Sequence, residues 1–193
     1  METMRGGPDG NERLTAASAA VLFLMLAAEG VTILSIRQLL SVHVFIGMLL
    51  VPPVALKIAS TTWRFARYYR GARSYREKGP PLLPLRLLAP VVVASTVAVF
   101  VTGIALLIQG PGRGIVLGLH KASFVVWLVA TGVHVLAYLS RVPRLAVADW
   151  RTGAAAVPGS FARRSLLAGT VTAGAILAVS TVQYAGPWLH WHG

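Results

Sequence analysis

Residues 115–139, IVLGLHKASFVVWLVATGVHVLAYL, form an apolar run broken by one lysine and two histidines, His120 and His134. About 20 such residues suffice to cross the hydrocarbon core of a bilayer as a helix. Lipid offers no partner to a bare backbone N–H or C=O, so a spanning run of this kind must be helical. The fourteen residues from His120 to His134 rise by about 21 Å and complete nearly four turns, which puts both imidazoles on roughly one face. Ionisable groups inside a span are rare and usually face the bundle interior, so each histidine is a candidate functional residue.

Four further runs are as long and as apolar, at 14–36, 39–60, 87–109 and 165–187. The expectation is an all-α polytopic transmembrane bundle of five spans over 14–187. Composition agrees: 55% of the 193 residues are hydrophobic and 12% charged, where a soluble domain is nearer a quarter charged. With no cysteine, disulfides, thiolate metal sites, iron–sulfur clusters and covalent C-x-x-C-H haem attachment are excluded.

The connections are short or polar. Residues 1–13 (METMRGGPDGNER) are expected to be a disordered cytoplasmic tail, and the run behind them is of span length rather than a cleaved signal. Arg37-Gln38 forces an antiparallel return, Gly110-Pro111-Gly112-Arg113-Gly114 makes a second tight turn, 140–164 is a polar loop, and 188–193 is an outer tail. Pro52-Pro53 removes two backbone donors and is expected to kink the second span.

The net charge of +12 does not mark a nucleic-acid binder, because the basic residues sit at the ends of apolar segments. With the N-terminus inside, the inner segments hold fourteen Lys and Arg residues outside the spans and the outer ones two, Arg37 and Arg113. That positive-inside bias predicts N-terminus in, C-terminus out. The run from Trp63 to Arg76, with arginines at 64, 67, 70, 73 and 76, reads as a juxtamembrane helix on the anionic inner leaflet, or as a dock for a partner. Lys57 reads as snorkelling, Arg163-Arg164 as topology-setting, and His190 and His192, beside Trp188 and Trp191, as interfacial anchors.

This topology sets depths. His43 lies about four residues, and His120 about five, below the outer ends of two spans that run in the same direction, so their levels agree within a few ångströms. Two such imidazoles can supply both axial ligands of a haem. Gly47 lies one turn below His43 in a His-x-x-x-Gly pattern and gives a porphyrin lateral room. Gly118 and Gly132 each precede a histidine of the fourth span by two residues. Glycine is also common wherever membrane helices pack.

A multi-helix chain with His-x13-His in one span and an opposing histidine in another resembles the bacterial membrane b-type cytochromes, the cytochrome b561 and hydrogenase-cytochrome-b group of haem subunits. The resemblance covers 14–139 and rests on His43, Gly47, His120 and His134. It implies non-covalent haem b near the outer face, ligated by His43 and His120. It further implies one-electron transfer between a quinol or redox partner protein and an acceptor, in a bacterial cytoplasmic membrane. A second, inner haem at His134 lacks an evident partner ligand, since Lys57 stands fourteen residues after His43; His134 alternatively bonds a backbone carbonyl or water. Arg37 and Lys121 are candidates to hold haem propionates, or they simply snorkel. Glu29, near the haem in depth, relays a proton, binds a quinol hydroxyl, or pairs structurally with Arg37 or Lys121. The alternatives from other classes are a haem-free anchor or assembly subunit that recruits a partner through its basic loops, and a small transporter.

Overall fold

The computed structural model describes residues 7–79, 83–112, 114–138 and 158–190. Its elements are helices throughout, with no strand among the described residues: α1 (Gly7–Leu34), α2 (Ile36–Tyr69), α3 (Arg73–Glu77), α4 (Leu83–Gln109), α5 (Ile115–Tyr138), α6 (Ser160–Thr181), a 3₁₀ turn (Val182–Ala185) and α7 (Gly186–Leu189). Five helical stretches are long and apolar enough to cross a membrane: α1, α2, α4, α5, and α6 continued to Leu189. Their surfaces fit that setting, with Leu24, Leu87, Val101, Val129, Leu136 and Ile176 all facing outward. The buried positions are mostly small, among them Ala16, Ser18, Thr32, Ser60, Ser95, Thr96, Ala130, Ala178 and Ala185. Small residues let membrane helices approach closely, and dispersion contacts then replace the missing hydrophobic driving force.

The described residues fall into two compact units, one within 1–27, 50–81 and 139–174, the other within 28–49, 82–138 and 175–193. In the first, α1 and α2 are joined by polar side chains. Asn11 Nδ2 donates to the Ser60 carbonyl at 3.1 Å, Thr15 Oγ1 to Ser60 Oγ at 3.1 Å, and Lys57 Nζ to the Thr15 carbonyl at 2.8 Å. Lys57 therefore turns its ammonium onto α1 instead of simply extending along the lipid. The turn between α1 and α2 spans Ser35–Leu39, where the Gln38 and Leu39 amides both donate to the Ser35 carbonyl at 3.0 and 2.9 Å. Pro52-Pro53 does not interrupt the helical torsions: the non-helical torsions of α2 lie at Leu39 (φ −107°, ψ 16°), and Pro53 is fully buried within the helix.

The arginine run is helical in two pieces, α3 from Arg73 and, before it, α2, which continues to Tyr69. α2 ends where Gly71 takes φ +84°, and the Ala72 and Gly71 amides return to the Arg67 and Tyr68 carbonyls at 3.1 Å each. That left-handed residue comes without strain only from glycine. The Arg67 guanidinium lies 5.8 Å from both the Trp63 and the Tyr75 ring centroids, holding α3 against α2. Of the expected disordered tail, residues 1–6 lie outside the described residues, and Gly7–Arg13 is helical. Its polar side chains have partners in Ser60 and in Lys78, whose ammonium contacts Asp9 and, at 2.5 Å, Glu12.

Partial burial on its own lowers the Lys78 pKa, but the bonds and charges of Asp9 and Glu12 outweigh it and raise it above its ordinary 10.5. A raised pKa contributes stability in full below the ordinary value, and that contribution is lost as pH rises through the raised one. Lys78→Ala is expected to speed amide exchange across Gly10–Arg13 at neutral pH by no more than about fivefold, since exposed pairs are weak. Exchange in the middle of α2 should not change. Unaltered exchange in α1 would show that the clamp does not hold that turn.

Candidate functional site

All the candidate ligands fall in the second unit, within 28–49 and 82–138. The pairing of α1 with α2 places Glu29 and Thr32 beside His43. His43 Nδ1 lies 2.9 Å from Glu29 Oε1 and 2.9 Å from Thr32 Oγ1, while Thr32 Oγ1 donates to the Glu29 carbonyl at 2.6 Å. The pair is largely sheltered, with side-chain exposures of 22% for His43 and 14% for Glu29. Glu29 therefore pairs with His43, not with Arg37 or Lys121 as its structural alternative supposed. Its second oxygen, Oε2, is buried without a hydrogen-bond partner. Gly47 belongs to the same cluster, since a Cβ added there would stand 3.5 Å from Glu29 Oε1. The absence of a side chain at Gly47 gives room to the carboxylate.

His120 is held by α4, which packs along α5 as an antiparallel hairpin. Its Nδ1 lies 3.0 Å from Thr102 Oγ1 and 3.2 Å from the Val99 carbonyl, and Thr102 Oγ1 in turn donates to the Ala98 carbonyl at 2.6 Å. A Cβ on Gly103 would stand 3.1 Å from His120 Cε1, so the imidazole lies directly against the α4 backbone. Among the described residues, neither ring's Nε2 makes a hydrogen bond.

The remaining candidates stand apart. Arg37 and Lys121 are exposed and make no hydrogen bond or ion pair among the described residues. Arg113 and His192 lie outside the described residues. His134 stacks at a tilt on Tyr138, with ring centroids 5.0 Å apart, and its Nδ1 is buried. Near the C-terminal end of α4, Trp188 Nε1 donates to the Leu106 carbonyl at 3.2 Å, which draws the aromatic tail onto that helix.

Chemically, two imidazoles stand on two helices, each with Nδ1 within hydrogen-bonding distance of oxygen atoms. That is the outer-shell support that metal-binding histidines carry. No group of three or more His, Cys, Asp or Glu that could hold a metal ion gathers among the described residues. No protein-family model matches the chain, and no curated protein or solved structure matches it.

Proposed function

We propose that this chain is a haem b subunit of a bacterial cytoplasmic membrane that passes single electrons between a quinol or redox partner protein and an acceptor. The observation that carries the reading is the pair His43 and His120, both held through Nδ1 and both with Nε2 outside the protein's hydrogen bonding. His43 and His120 would hold the haem iron, and Glu29, Thr32, Thr102 and the Val99 carbonyl would orient them. Gly47 and Gly103 keep their helices close to these groups. Arg37 and Lys121 are free to hold propionates through charge-assisted bonds. When bound, haem b supplies reversible one-electron transfer, while the protein sets its position and its potential. The lysine and arginine bias supports N-terminus in and C-terminus out, with the site on the outer side.

A second reading, a haem-free anchor that recruits a partner, draws on the exposed Arg70 and Arg76 at the end of α2 and on α3. A visible spectrum separates the two. Protein expressed with ample haem and purified in detergent is expected to show a low-spin haem b spectrum that sharpens on dithionite reduction, with one haem per chain. Correctly folded but colourless protein would leave the anchor reading.

A further inference from the structure

We propose that Thr32 and Thr102 are matched positioning residues that fix the ring tautomers of His43 and His120, so that each imidazole carries its proton on Nδ1 and keeps Nε2 as a free lone pair. The inference rests on the haem reading for its purpose, but not for its evidence, which is a count of protons. A threonine hydroxyl has one proton to donate. Thr32 gives its own to the Glu29 carbonyl at 2.6 Å, and Thr102 gives its own to the Ala98 carbonyl at 2.6 Å. What each hydroxyl then turns toward the imidazole, at 2.9 and 3.0 Å, is a lone pair, and only an Nδ1–H can meet it.

The second contact at His120 agrees independently, and the one at His43 is consistent with it. The Val99 carbonyl, 3.2 Å from His120 Nδ1, can only accept. If Glu29 instead donated a carboxyl proton to His43 Nδ1, the Thr32 lone pair would face a bare nitrogen lone pair at 2.9 Å. Two helix pairs, α1–α2 and α4–α5, thus reach the same device: a threonine bonded back to its own helix, set against a histidine of the next.

The test uses haem-free protein labelled with ¹⁵N-histidine and held at alkaline pH, where imidazoles are neutral. Resonances are assigned with His43→Gln and His120→Gln. Wild type is expected to show a protonated Nδ1 and a bare Nε2 at both rings. Thr102→Val should raise the Nε2–H form at His120 severalfold, leaving only the longer carbonyl bond. Thr32→Val should do the same at His43 but by less, because Glu29 remains as acceptor, and serine at either position should restore the wild-type pattern. A major Nε2–H form in wild type at either ring, or valine variants with unchanged tautomers, would overturn the inference. The wild-type spectrum alone suffices if a variant fails to fold. Haem titration of the same samples separates the two ideas: the expected tautomers without haem uptake would sink the cofactor reading and leave this one standing.

Discussion

His120→Ala is expected to weaken haem binding at least about a hundredfold, because losing a mere outer-shell partner already costs ten- to a hundredfold. His43→Ala should do the same. The fold has little reason to fail with them. Thr102 keeps its bond to the Ala98 carbonyl and Thr32 its bond to the Glu29 carbonyl when the imidazole is gone. The contact that packs the C-terminal segment on α4, Trp188 to Leu106, involves neither ring. Haem content by pyridine haemochrome, with helicity and elution volume as controls, reads the outcome. His190→Ala should retain full haem, since His190 stands exposed at the end of α7. A His43 or His120 variant with an undiminished low-spin spectrum would show that the wrong side chains have been paired.

Gly103→Val should come close to the same loss without removing any ligand. The first added carbon would sit 3.1 Å from His120 Cε1, a separation at which something must give. Alanine leaves the ring to retreat by a few tenths of an ångström. Valine adds two methyls whose helical rotamer is nearly fixed, so His120 must swing off Thr102 and the Val99 carbonyl. Overpacking of this kind costs about 1–3 kcal/mol, and with the orientation of the ligand lost, affinity should fall by more than about tenfold. Gly118→Val is the matched control on α5, since a Cβ there meets nothing within 4 Å. Haem titration that ranks Gly118→Val with wild type, Gly103→Ala between, and Gly103→Val last supports the placement of His120 against α4. Equal affinity for Gly103→Val and wild type would refute it.

The membrane-length helices were legible because lipid admits no other backbone for runs such as 115–139, and α5 begins at Ile115 as expected. The reversal near residue 37 was equally readable. It carries a consequence that the pattern alone could have supplied: Glu29 and His43 lie seven residues to either side of position 36, so an antiparallel pair brings them to one depth. Among the alternatives open for Glu29, the structural one named Arg37 or Lys121, and register favours His43 instead. Thr32, Thr102 and Gly103 were missed for a different reason. Threonine and glycine are common in membrane helices as packing residues, and which of them faces a histidine depends on how α4 rotates against α5. No periodicity in a uniformly apolar helix settles that rotation. The helix over Gly7–Arg13 was not legible because the partners of its polar side chains, Ser60 and Lys78, lie some fifty to seventy residues further along the chain.

The central claim is that two imidazoles, His43 and His120, share one iron. Near-infrared magnetic circular dichroism of the oxidised, haem-loaded protein reports both axial ligands at once. The expected result is a single low-spin haem with bis-imidazole ligation. A high-spin five-coordinate centre, or an imidazole paired with an amine or thioether, would contradict it.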